Sequence, residues 1–342
     1  MKTRSILAAP VLATAVLAAT GCPDLDLPPG DVTDPNYWGQ AFLNKYEDEL
    51  VVTELEAGPA PLEEPRVVLL ITGVTIPAEW FDPMKQRLER DGFIPVVYEP
   101  PDLLSGDLFM NSELLADVVD QVRADTGYDK IDILAECTGG LIARHYIQAL
   151  GGDQYVNRLV TFISPQHGLP KAAEAHAIAG WDALEDLTPG STFLETVNNA
   201  PMPENVPISS IYTCTDEYIQ PYETSIIPGA KNIGLCDGFV GHFQFFYDPA
   251  IYLVMHAELV APLPGEEAGP GPSDLPEGND PPAVDEEDLL GEGESDVGDV
   301  SADANADGQG GCSTSGSPAS GGLALLALGA AGVMARRRRR TA

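Results

Sequence analysis

The sequence predicts an α/β fold, a mostly parallel sheet flanked by helices with a small cap insertion. Two observations carry that expectation. Between residues 66 and 262, short β-branched runs alternate with longer helical stretches, the rhythm of βα units. The first run, Val67–Thr72, is also apolar almost throughout, as a strand covered on both faces is.

Val67–Thr72 reads as the first buried strand and Trp80–Asp91 as the helix that follows it. Ile94–Tyr98 is the next strand, Ser112–Thr126 the next helix, and Ile131–Ala135 a third strand. Gly139–Leu150 is helical again, and Leu159–Ser164 and Ile208–Thr213 complete the strands. Residues 165–205 interrupt the rhythm with Pro, Gly and a short amphipathic piece at Trp181–Leu187, where a cap over a pocket is expected. Ile251–Val260 is a last helical run, and no internal repeat is present.

Charge divides the rest of the 342-residue chain. There are 18 Lys and Arg against 53 Asp and Glu, a net −35, and a surface so acidic repels phosphate backbones. Nucleic-acid binding is excluded. Residues 263–311 hold most of an acidic, Gly- and Pro-rich stretch without a single Lys or Arg, which is expected to be a disordered, solvated linker. Within it, residues 303–308 mimic the start of a calcium loop, but Thr314 stands where a bidentate Glu is needed.

The two ends read as addresses. Residues 1–21 have a basic start, an apolar run and small residues before Cys22, the layout of a secretory signal. Ala19-Thr20-Gly21-Cys22 resembles a bacterial lipobox, which implies acylation at Cys22. Residues 22–65 form a lead segment before the domain. Residues 312–342 run from Cys312 through the apolar Gly321–Ala335 to the arginines Arg336–Arg340, an order similar to the MYXO-CTERM sorting tail of myxobacterial surface proteins. The expectation is an exported protein, secreted or held at the outer membrane or cell surface, with terminal anchors touching the membrane.

The sharpest chemical feature is Ala135-Glu-Cys137-Thr-Gly139-Gly140 between a predicted strand and a predicted helix. It has the context of a nucleophile elbow, with Cys137 for Ser and Ala135 for the first Gly. A side chain on that turn projects beyond the carboxyl edge of the sheet, beside the positive end of the following helix, which favours thiolate. In this arrangement an acid and a His follow in chain order. Asp216 lies just past a predicted strand and is preferred to Glu217 and to Asp237. His242 sits on a Gly-flanked turn, whereas His256 is inside a helical run. Backbone N–H groups of Thr138 and Val74 are the candidate oxyanion donors, with the hydroxyls of Thr72 or Thr75 as further candidates.

These residues together resemble the secreted class 2 lipases of the α/β-hydrolase superfamily, over about residues 66–260. The resemblance rests on Leu70–Thr75, Ala135–Arg144, Ser164–Gly168, Thr215–Pro221 and Val240-Gly-His242. It implies Cys137 as nucleophile, Asp216 and His242 as acid and base, Val74 and Thr138 at the oxyanion hole, and His167 in a structural motif. It also implies a lipid or other ester substrate and an acyl-enzyme. The sequence departs from the pattern in Cys137, where these lipases have Ser, and in Thr72, where His is usual before Gly73. Cys at the elbow is similar to polyhydroxyalkanoate synthases and dienelactone hydrolases. Export argues against their cytoplasmic thioester substrates.

Of five cysteines, two lie in the address segments and one at the elbow, leaving Cys214 and Cys236 for a predicted disulfide around the Asp216 loop. No cofactor is implied. No metal site is expected either, because the five His are scattered without ligand spacing.

Overall fold

The computed structural model describes residues 30–31 and 33–266. The signal, Cys22, nearly all of the linker and the C-terminal segment lie outside the described residues. Among those described, no helix is long and apolar enough to cross a membrane.

Six strands form one sheet: β1 (Arg66–Ile71), β2 (Phe93–Tyr98), β3 (Ile131–Glu136), β4 (Val156–Phe162), β5 (Ile208–Thr213) and β6 (Lys231–Leu235). Their order is β2-β1-β3-β4-β5-β6, and every pairing is parallel. The apolar run Val67–Ile71 of β1 follows from its two covered faces. Val67, Leu69 and Ile71 point into one core and Val68 and Leu70 into the other. Helices α3 (Leu108–Thr126) and α4 (Thr138–Ala149) cover the first face with the cap. The second is covered by α1 (Pro35–Leu50), α2 (Asp82–Arg90), α8 (Gln244–Tyr247) and α9 (Pro249–Val260).

Several elements differ from the sequence expectation. Trp80 and Phe81 belong to a separate 3-10 turn, Ala78–Phe81, because Pro83 starts a new helix. Helix α3 begins at Leu108, four residues early, where the Asp107 side chain accepts from Met110 N–H as an N-cap. Strand β6 was not expected. Its KNIGL sequence has little apolar content, and pairing with β5, Lys231 opposite Ser209 through Leu235 opposite Thr213, makes it a strand.

The lead segment is partly folded. Asp34 caps α1 by accepting from Asn36 N–H, and Pro35 opens the first turn. Trp38 and Phe42 of this helix are buried among Tyr218, Trp80 and Phe243. The cap consists of α5 (Ala172–Ala179), α6 (Asp182–Asp186) and α7 (Thr192–Asn199). Trp181 ties it to the lead segment by donating its indole N–H to Thr33 O at 2.8 Å. The six-stranded parallel sheet, flanking helices and sharp turn after β3 make this an α/β-hydrolase fold.

Candidate active site

After β1 the chain crosses to β2, and β3 returns to the other side of β1, so the loops after β1 and β3 diverge at the carboxyl edge. Parallel α/β sheets bind ligands at such a switch point. Cys137 follows β3 with φ 47° and ψ −126°, a region side chains rarely occupy. Three bonds hold it there. Its N–H donates to Phe162 O at 3.0 Å, and its C=O accepts from Gly140 N–H at 3.0 Å and from Ser164 Oγ at 2.5 Å. Small neighbours are obligatory. A Cβ on Gly73 would lie 2.7 Å from the Cys137 Cβ and 2.5 Å from Glu136 Oε2, and one on Gly139 2.7 Å from Thr72 O.

The structure brings Cys137, His242 and Asp216 together. Asp216 leaves β5 on the Cys214–Cys236 loop and is buried, with Oδ1 accepting from the N–H groups of Tyr218 at 2.7 Å and Ile219 at 2.8 Å. Its Oδ2 lies 2.8 Å from His242 Nδ1. With that nitrogen donating to Asp216, Nε2 is left facing the elbow. The ligand atoms of Glu136, Cys137 and His242 lie within 4.8 Å of one another.

The alternatives have other work. Glu217 is exposed and accepts from the His242 backbone N–H at 2.9 Å, fixing the turn rather than the ring. Asp237 is exposed. His256 packs against Phe93 and faces Asp91 at 3.9 Å. His167 Nε2 lies 2.9 Å from Ile226 O, linking the start of the cap to the loop before β6.

The donors expected of the oxyanion hole sit on the two diverging loops. Gly73 N–H donates to Glu136 Oε2 at 2.6 Å and Thr75 N–H to Leu103 O at 2.9 Å. The Val74 amide between them makes no such bond. Thr138 opens α4. The Thr72 hydroxyl is buried without a protein partner, whereas the Thr138 hydroxyl lies 3.7 Å from Cys137 Sγ. Cys214 and Cys236 form the predicted disulfide.

Glu136 is the residue that spacing did not reveal. It ends β3 fully buried, and Oε1, without a hydrogen-bond partner, lies 3.4 Å from His242 Nε2. The one hint was a carboxylate closing a strand in which only Asp132 is otherwise polar.

Its presence changes the electrostatics. Burial, then the charge of Glu136, pushes the Cys137 thiol above its ordinary range, with His242 pulling the other way. This corrects the expectation of a favoured thiolate, because burial and an adjacent carboxylate outweigh the helix terminus. Burial also opposes charge on His242, but the charge and hydrogen bond of Asp216, with the Cys137 and Glu136 contacts, raise it well above the usual histidine value. Burial raises Glu136 too, against the pull of His242 and the Gly73 N–H.

Residues 113–234 match the family model for class 2 lipases. That span holds Cys137 and Asp216, while Gly73 and His242 lie on either side of it. Lipase B of Pseudozyma antarctica is 27% identical over 190 residues, covering 52% of this chain and 54% of that protein. The chain therefore spans about half the length of the curated relative it matches. Among solved structures, Aspergillus fumigatus lipase B has 17% identity and a TM-score of 0.49, covering 73% of this chain and 74% of that one. Mature Bacillus licheniformis lipase BlEst2 has 16% identity and a TM-score of 0.46, covering 59% and 96%.

Proposed function

We propose that this protein is an exported carboxylic ester hydrolase of the lipase or esterase type, using Cys137, His242 and Asp216 through an acyl-enzyme. One observation carries the reading. An imidazole held by a buried carboxylate at 2.8 Å faces a thiol on a strained elbow. The class 2 lipase match and the likeness to lipase B support an ester or lipid as substrate. The disulfide agrees with an oxidising compartment. Attachment through Cys22 and the C-terminal segment completes the proposal.

In this mechanism neutral His242 takes the Cys137 proton at Nε2, and sulfur attacks the ester carbonyl. The Val74 and Thr138 N–H groups hold the oxyanion. Imidazolium then protonates the departing alkoxide, leaving a thioester on Cys137. Water, deprotonated by the same nitrogen, releases the acid and regenerates the thiol. Asp216 keeps the ring oriented and its charge compensated through both halves.

Hydrolysis of p-nitrophenyl esters tests this reading. It is expected to disappear in Cys137→Ala and after iodoacetamide, and hydrolysis that survives both contradicts it.

The buried Glu136 favours a second reading, in which the site binds or accepts acyl groups with little hydrolysis, as a lipid-binding pseudoenzyme or an acyltransferase. Burial, and then the Glu136 carboxylate, push the thiol above its ordinary range, and the carboxylate lies 3.4 Å from His242 Nε2. Saturable fatty-ester binding without release of acid distinguishes this case.

A further inference from the structure

We propose that Glu136, Cys137 and His242 form a three-ligand site for a borderline-soft divalent cation, Zn2+ foremost, whose binding reversibly masks the reactive thiol. Three possible ligand atoms converge there, all within 4.8 Å of one another. His242 Nδ1 is engaged by Asp216, so Nε2 carries the free lone pair when the ring is neutral. Glu136 Oε1 is buried without a hydrogen-bond partner.

The distances suit tetrahedral coordination. Zn–N and Zn–O bonds of about 2.0–2.1 Å put two such ligands about 3.3–3.4 Å apart. Glu136 Oε1 and His242 Nε2 are 3.4 Å apart. The thiol sulfur lies within 4.8 Å of both, and tetrahedral coordination needs it at about 3.6 Å from each. Thiolate and carboxylate balance the two positive charges of the ion.

The surroundings hold the ligands as a metal site requires. Asp216 accepts from His242 Nδ1 at 2.8 Å, and Gly73 N–H donates to the second oxygen of Glu136 at 2.6 Å. Such outer contacts fix the orientation and basicity of metal-bound imidazole and carboxylate. One sulfur and one nitrogen among three ligands select against Mg2+ and Ca2+.

Binding displaces the proton of the Cys137 thiol and that of the His242 imidazolium at Nε2, both of which leave to solvent as the sulfur–metal and nitrogen–metal bonds form, and nothing is oxidised or reduced. Occupation of Cys137 and His242 removes nucleophile and base together. Loss of hydrolysis therefore rests on the proposed mechanism, whereas binding itself does not.

The test is a titration of the chelator-treated full chain with Co2+ alone, followed by thiolate-to-cobalt charge-transfer absorption and by displacement with Zn2+. One equivalent is expected to saturate the band. The band is expected to vanish in Cys137→Ser, and the affinity to fall about 10-fold or more in Glu136→Gln. No band, a band that persists in Cys137→Ser, or unchanged affinity in Glu136→Gln overturns the proposal. Circular dichroism checks that the variants fold. Should Glu136→Gln not fold, the wild-type chain decides: equimolar Zn2+, but not Mg2+, is expected to protect Cys137 from iodoacetamide, and equal alkylation with and without Zn2+ overturns it. Neither readout requires ester turnover.

Discussion

Glu136 Oε1 lies 3.4 Å from His242 Nε2, the same ring nitrogen that faces Cys137. A carboxylate so placed stabilises imidazolium and opposes thiolate, so it sets the pH at which the pair can begin chemistry. The active form has one proton fewer than the resting cluster. Hydrolysis is therefore expected to rise with pH above neutrality. Glu136→Gln removes the charge and is expected to move the rising limb of the kcat/KM profile down by about one pH unit. A profile unmoved by this change contradicts the role given to Glu136.

His242, held chiefly by Asp216, fixes a stability trend. His242 is raised above its unfolded value of about 6.5, so its stabilising contribution is fully present below that pH. It is lost as pH rises through the folded value. Wild type is expected to lose more thermal stability than His242→Asn between neutral and alkaline pH. Parallel melting curves across that range contradict the assignment.

Cys214 and Cys236 close a loop across 22 positions, from the end of β5, past Asp216, to the end of β6. Replacing both by Ser is expected to cost about 3 kcal/mol in denaturant unfolding. Activity is expected to fall further than unfolding explains, because Asp216 loses its tether. Full activity of the folded double variant contradicts that link.

Phe243 follows His242 and contacts Phe42 at 4.9 Å, Tyr46 at 5.0 Å and Trp80 at 4.7 Å between ring centres. Phe243→Ala is expected to cost about 3–5 kcal/mol. Deleting residues 30–50 is expected to expose the same cluster. Unchanged stability of either variant shows that α1 does not support the His242 turn.

Gly73→Ala has a more local outcome. The added methyl meets the Cys137 Cβ at 2.7 Å and Glu136 at 2.5 Å, so the elbow must shift. Ester hydrolysis is expected to fall by about 100-fold, since a displacement of about 1 Å in a catalytic group can cost that much. Wild-type kinetics in this variant contradict the close approach.

What was legible in the sequence was local. The apolar run of β1, the small residues around Cys137 and the chain order Cys137, Asp216, His242 each carry their meaning within a few positions. What was not legible depends on distant partners. Strand β6 owes its form to β5, and α1, with polar residues scattered around it, is stabilised by Phe243 some two hundred residues away. Glu136 and His242 are separated by 106 positions, and only the fold shows that they compete for one proton.

The most direct test of the central claim is a single-turnover mass measurement on the intact protein mixed with an activated ester. A shift equal to one acyl group, mapped by digestion to the peptide bearing Cys137 and absent from Cys137→Ala, is the predicted result. Ester consumption with no adduct on Cys137, or with acyl found on another residue, contradicts it.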